Sequence, residues 1–144
     1  MTDIDERFTA ALHNAARAWR QAMDRRLKSC RVSQAGWMTI AVAAKSSSPL
    51  SQSELADRVG VEGATMVAMI DRLVKAKLVV RNTSITDRRV KHVVLTEVGY
   101  RVYDTVREKA AAFRRETLSE IAPSRLIATT ELLEDLQRTF DVVS

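Results

Sequence analysis

The 144-residue sequence predicts a mainly α-helical fold carrying one small β-hairpin wing. Three observations predict it. The run SQSELADRVGVEGATMVAMIDRLVKAK at 51–77 reads as two short helices around a tight turn. The run LVVRNTSITDRRVKHVVLT at 78–96 reads as two strands on either side of a basic loop. Long apolar stripes at helical spacing occupy both ends of the chain, and only four Gly and two Pro interrupt the whole sequence.

The first short helix opens on Ser51, with Glu54 three residues later, the reciprocal capping-box arrangement. Leu55, Ala56 and Val59 form its inner side, and Gly60 ends it where a positive φ is needed. Val61 plugs the turn, and the second helix begins near Glu62. Met66, Ile70 and Leu73 recur on one side of that helix, flanked by Val67 and Val74. Thr65, Ala68, Met69 and Arg72 share another side that has no packing task visible in the sequence. Small and unbranched side chains there suit the major groove of duplex DNA, about 12 Å wide, and Arg72 is long enough to reach a guanine edge or a phosphate. Backbone amides at the two helix starts, Ser51, Gln52 and Ser53 on one and Gly63 and Ala64 on the other, are suited to donate to phosphate oxygens.

In the hairpin, 78–83 and 91–96 are the strands. The loop 84–90 is too long for a two-residue turn and carries Asp87, Arg88 and Arg89, with Lys91 at its foot. An arginine at a loop tip suits a narrow minor groove, where negative potential is concentrated. A carboxylate beside it would repel DNA on its own, so Asp87 is expected to orient a neighbouring arginine through a charge-assisted hydrogen bond.

With these residues in order, the chain resembles the MarR/SlyA transcriptional regulators. The resemblance is carried by SQSELADRVGV, by VEGATMVAMIDRLVKAKLVVR, by the wing TDRRVKHVVLT, and by Leu95-Thr96-x-x-Gly99 opening the next helix. Upstream, AWRQAMDRRLKSCRVSQAGWMTI is similar to the SlyA branch. The resemblance implies a winged helix-turn-helix flanked by long N- and C-terminal dimerisation helices. It implies a single MarR-type domain over 1–144, with dimerisation helices at 1–32 and 98–144 and the winged unit at 33–97. It assigns Arg89 to the minor groove and Asp87 to orienting the wing. SlyA-like recognition helices often carry arginine one turn in, where this chain has Ala68, so base readout there is weaker or apolar.

Length and composition agree with one small basic domain. At 46% hydrophobic residues the chain can bury a real core, and a net charge of +5 favours a polyanionic partner. The sequence shows no secretory apolar region and no run long enough to span a bilayer, so a cytoplasmic protein without membrane association is expected. The N-terminal stripe is Ile4, Phe8, Ala11, Leu12, Ala15, Trp19, Ala22, Met23 and Leu27. A second runs Val98, Val102, Val106, Ala110, Phe113. Pro123 and Ser124 restart a last helix with Leu133, Leu136, Phe140 and Val143 near heptad spacing. Such stripes cannot all be buried against the central unit, and a second copy of the chain is the economical partner.

Little in the sequence points to catalysis. Phosphate loops, nucleophile elbows and zinc-protease motifs are absent, so neither an enzyme nor a cofactor is expected. His13 and His92 lack partners at metal-ligand spacing, and no metal site is expected. Cys30, the single cysteine, lies between Lys28 and Arg31, cations that favour a thiolate. The redox-sensing relatives that the resemblance brings in keep their cysteine near the start of helix 1, which Cys30 does not match. Trp37 falls in a short apolar helix, 34–45. The resemblance implies that small aromatic carboxylates or phenols enter this junction, where Arg17 would meet a carboxylate and Trp37 would stack on the ring. The sequence therefore points first to a homodimeric, sequence-specific regulator of double-stranded DNA, most simply a repressor relieved by a small aromatic effector. Two alternatives stand beside it: a winged-helix module binding an acidic protein, and a redox-sensing regulator acting through Cys30.

Overall fold

The computed structural model describes residues 3–142 and divides the chain into two compact units, Met1–Ala110 and Ala111–Ser144. In the first unit, α1 (Ile4–Leu27) leads through a 3₁₀ turn (Lys28–Cys30) into α2 (Gln34–Lys45). A two-residue strand β1 (Leu50–Ser51) precedes α3 (Gln52–Val59) and α4 (Gly63–Lys75). Strands β2 (Val79–Thr83) and β3 (Lys91–Leu95) follow, and then α5 (Glu97–Leu118), whose last turns belong to the second unit together with α6 (Pro123–Asp141). The fold is mainly α with a small antiparallel sheet, the winged helix-turn-helix arrangement that the sequence predicts.

The local signals act as read. Ser51 caps α3 and the reciprocal bond from Glu54 is present, closing the capping box. Gly60 ends α3 at φ +81, a backbone state costly for any residue with a Cβ. Pro123 stands in the first turn of α6, where its missing N–H costs nothing. One element is new: β1, which pairs with β3 through Leu50 and Val93 and makes the hairpin a three-stranded sheet of order β1-β3-β2. Two residues are too few to show a period.

One core serves α2, α3, α4 and the sheet. Ile40, Leu55, Met66, Ile70 and Val79 are fully enclosed there, with Leu50, Val93 and Leu95 from the strands. The α1 stripe behaves differently along its length. Met23 and Leu27 are buried, whereas Ile4, Phe8 and Leu12 stay exposed. On α5, Val106, Ala110 and Phe113 are buried and Val98 is exposed. On α6, Ile127, Leu132, Leu133 and Phe140 are exposed, and Val143 of the sequence stripe lies outside the described residues.

The joint between sheet and α5 is close enough to require a glycine. Thr96 turns its hydroxyl to the Lys77 carbonyl (2.7 Å) and accepts from the Gly99 amide (3.0 Å), so it caps α5 and ties it to the end of α4. The Thr96 amide donates to the Leu78 carbonyl at 3.0 Å. A Cβ on Gly99 would meet that same carbonyl oxygen at 2.1 Å. Gly99→Ala must push α5 away from the sheet, and denaturant unfolding should show a loss of at least about 2 kcal/mol. Stability equal to the parent would mean that the joint yields freely.

Candidate nucleic-acid interface

The buried stripe of α4 is Met66, Met69, Ile70 and Leu73, spaced i, i+3, i+4 and i+7. This corrects the expectation that Met69 lies on the DNA-facing side. Met69 is only 5% exposed and belongs to the core. Its sulfur sits 3.7 Å from where a Cβ on Gly36 would project, so the bare backbone of α2 makes room for it. Val67, expected to flank the core, is exposed instead. Ala64, Thr65, Ala68 and Arg72 are exposed as expected, and Gly63 opens the helix without meeting another group.

The sequence reading missed the residue that fastens this helix to its surroundings. Arg81 on β2 donates Nε to Gln52 Oε1 (2.6 Å), and Nη2 both to Asp71 Oδ1 (2.5 Å) and to the Val67 carbonyl (3.3 Å). One guanidinium thus joins the first turn of α3, the outer side of α4 and the wing strand. Gln52, expected to face DNA, has its carbonyl oxygen committed to this clamp. A signal for Arg81 was present in the alternation of β2: it shares a face with buried Val79, and an inward arginine needs acceptors.

In the wing, β2 and β3 pair from Val79 with Leu95 to Thr83 with Lys91, and Lys91 Nζ donates to Thr83 Oγ1 across the ribbon (2.8 Å). Asp87 grips Arg89 three ways. Oδ1 accepts from the Arg89 amide (3.0 Å) and from Nε (3.2 Å), and Oδ2 accepts from Nη2 (3.2 Å). The Arg89 side chain remains 91% exposed, so it is aimed without being hidden. Arg88 beside it is exposed. A groove of about 280 Å³ lies between the start of α3 and the foot of the wing, lined by Ser51, Gln52, Ser53, Arg89, Val90 and Lys91. The structure therefore brings together the helix start and the basic wing residues that the sequence named separately.

The other candidates lie apart from this surface. Arg17 is exposed and donates to Asn14 Oδ1 on its own helix (3.2 Å). Trp37 is half-buried against the core, with its indole Nε1 enclosed and lacking a hydrogen-bond partner. Among the described residues the two share no hydrogen bond and no ring contact. Cys30 is a free, half-buried thiol on the rim of a cavity of about 370 Å³ between the 3₁₀ turn and α5, near Arg31 and Arg101.

Bonds from the Arg89 side chain, and then from its amide, hold the Asp87 carboxyl below the usual aspartate range. A depressed folded-state value means that the pair contributes fully above the unfolded aspartate pKa and is lost as pH falls through the folded one. The Asp87–Arg89 contact is thus complete at neutral pH and is lost only as pH falls below the ordinary aspartate range. Carboxyl-carbon NMR should give Asp87 a midpoint below that of an ordinary aspartate, rising in Arg89→Ala but staying partly lowered by the residue-89 amide, which alanine keeps. Equal midpoints in both proteins would deny the grip.

Comparison with known proteins agrees with this geometry. Residues 37–90 match the model of the MarR family. A transcriptional regulator, PA3341, is 34% identical, with a TM-score of 0.81 over 93% of this chain and 98% of its own. AbsC, a MarR family transcriptional regulator from Streptomyces coelicolor, shares the fold at a TM-score of 0.87 and 21% identity, over 98% of this chain and 97% of its own. CouR from Rhodococcus jostii RHA1, solved bound to p-coumaroyl-CoA, shares it at 0.82 and 19%, over 94% and 95%. No helix of the described residues is long and apolar enough to cross a membrane. The helix-turn-helix, the clamped wing and these likenesses together assign the chain to the MarR family of DNA-binding, non-enzymatic transcriptional regulators.

Proposed function

We propose that the protein is a repressor that binds a pseudo-palindromic operator as a homodimer and is released by a small aromatic ligand. The observation that carries the DNA-contact part is the Asp87 grip on Arg89, on a wing that Arg81 ties to both helices of the helix-turn-helix. Arg89 enters the minor groove. The exposed side of α4 enters the major groove with Thr65, Ala68 and Arg72, while Ser51, Ser53, Gly63, Ala64, Arg88 and Lys91 meet phosphates. Only Arg72 on that side supplies a charged contact, so thymine methyls and DNA shape provide much of the discrimination, favouring an A·T-rich site.

The dimer reading is supported by apolar side chains left exposed on the terminal helices, Ile4, Phe8 and Leu12 on α1 and Ile127, Leu132 and Leu133 on α6. We assign 1–32 and 98–144 to that pairing and 33–97 to DNA, within one MarR-type domain. Two heads related by a two-fold axis read half-sites about one helical turn, ~10 bp, apart. The effector reading rests on Trp37, whose enclosed Nε1 a ligand oxygen would satisfy. Arg17 would leave Asn14 to meet the ligand's carboxylate. CouR, of the same fold, is the precedent for an aromatic acyl ligand.

Sequencing the genomic fragments that the protein retains tests the reading: a palindromic A·T-rich motif is expected, and retention without any shared motif would contradict it. Arg72→Ala should cost on the order of 1–3 kcal/mol and relax preference at one position per half-site. Arg89→Ala should weaken binding to every sequence and lower the salt slope by about one unit. Sedimentation should give a dimer at micromolar concentration, and a stable monomer would remove the two-headed reading.

A further inference from the structure

The wing tip holds an apolar residue that the contacts proposed above leave unused. Ile85 is wholly exposed and has the highest exposure of the large hydrophobic side chains among the described residues. The turn that carries it is firmly built. The Ser84 amide donates to the Val90 carbonyl (2.9 Å), and the Val90 amide donates to the Asp87 carbonyl (3.0 Å). Ser84 is itself buried, and its Oγ accepts from the amides of Thr86 (3.3 Å) and Asp87 (3.4 Å). These bonds hold the backbone on both sides of Ile85, so the side chain is presented outward by a closed turn.

A β-branched side chain is stiff at χ1 and loses little freedom when it is covered, which suits a contact more than a solvated turn. Its surroundings indicate what covers it. Arg88 and Arg89 stand a few residues along the same turn, both exposed, and Asp87 is spent on Arg89. An apolar point beside the exposed guanidinium groups of Arg88 and Arg89 matches a polyanion with apolar walls: the minor groove, whose sides are deoxyribose and whose rims are phosphate. We propose that Ile85 is a DNA contact, packing on the sugar walls of the minor groove while Arg89 reaches toward its floor. This rests on the proposed entry of the wing into that groove. It adds a component of affinity that releases no counterion and therefore does not depend on salt.

The test measures affinity for the tightest genomic fragment across a range of salt for the parent, Ile85→Ser, Ile85→Leu and Arg89→Ala. No buried contact is lost on replacing Ile85, so folding is not at stake. Ile85→Ser should bind about tenfold more weakly at every salt concentration, its log–log line parallel to the parent's. Ile85→Leu should stay close to the parent, whereas Arg89→Ala should change the slope. Parent-like affinity in Ile85→Ser would overturn the proposal, and so would a loss accompanied by the slope change of Arg89→Ala, which would mean only that the turn had moved its arginine. If the parent itself retained no duplex, the wing reading would fall as well, and the parent titration alone shows which has failed.

Discussion

The guanidinium of Arg81 reaches three elements at once, and the surface proposed to read DNA is joined through it. An isolated wing is a two-stranded ribbon with little stability of its own, and an isolated α4 can tilt over its core. Arg81 bridges these elements, beside the core they share, by donating to Gln52 on α3, to Asp71 on α4 and to the backbone of Val67. Asp71 is 60% exposed and Arg81 is 26% exposed, so the ion pair adds little to stability after solvent screening. Its consequence is geometric. With the shared core it holds helix and wing in one arrangement, and the DNA contact proposed for both would then need little added ordering.

The same economy runs through the charges. Carboxylates near the reading surface are repulsive to phosphate unless they are engaged. Asp71 is held by Arg81, Asp87 by Arg89, and the Glu54 carboxylate by the Ser51 amide in the capping box of α3. Arg72, Arg88 and an aimed Arg89 remain outward, with Lys91 at the wing's foot. Exposed as well is the carboxylate of Glu62, which precedes α4 without a side-chain cap bond. Asp71 and Asp87 engage arginines instead of facing outward alone, which lets a chain with 18 acidic residues present basic side chains there.

Much of this was legible in the sequence because it is local. The capping box at Ser51 and Glu54, the positive φ at Gly60, the α2 bounds and the Asp87–Arg89 grip each involve residues within a few positions of one another. What sequence reading missed is long-range or marginal. Arg81 meets Gln52 and Asp71 across 29 and 10 positions, and only its inward place in β2 hinted at a partner. β1 is too short to carry a pattern. Met69 was misplaced because two faces of one helix, 65-68-69-72 and 66-69-70-73, both contain it, and the glycine of α2 that admits its sulfur is distant in sequence. Ile85 falls in the loop 84–90, but its full exposure passed unnoticed because loop position alone does not say whether an apolar side chain is covered.

The central claim is that α4 and the wing engage DNA as one pre-set surface. The most direct test is a heteronuclear NMR titration of the protein with its selected duplex, following the amides of Thr65, Ala68 and Arg72 on α4 together with those of Ile85, Arg88 and Arg89 on the wing. The account predicts that both groups shift along a single saturation curve. Shifts confined to one group at saturation, or two curves with separate midpoints, would contradict it.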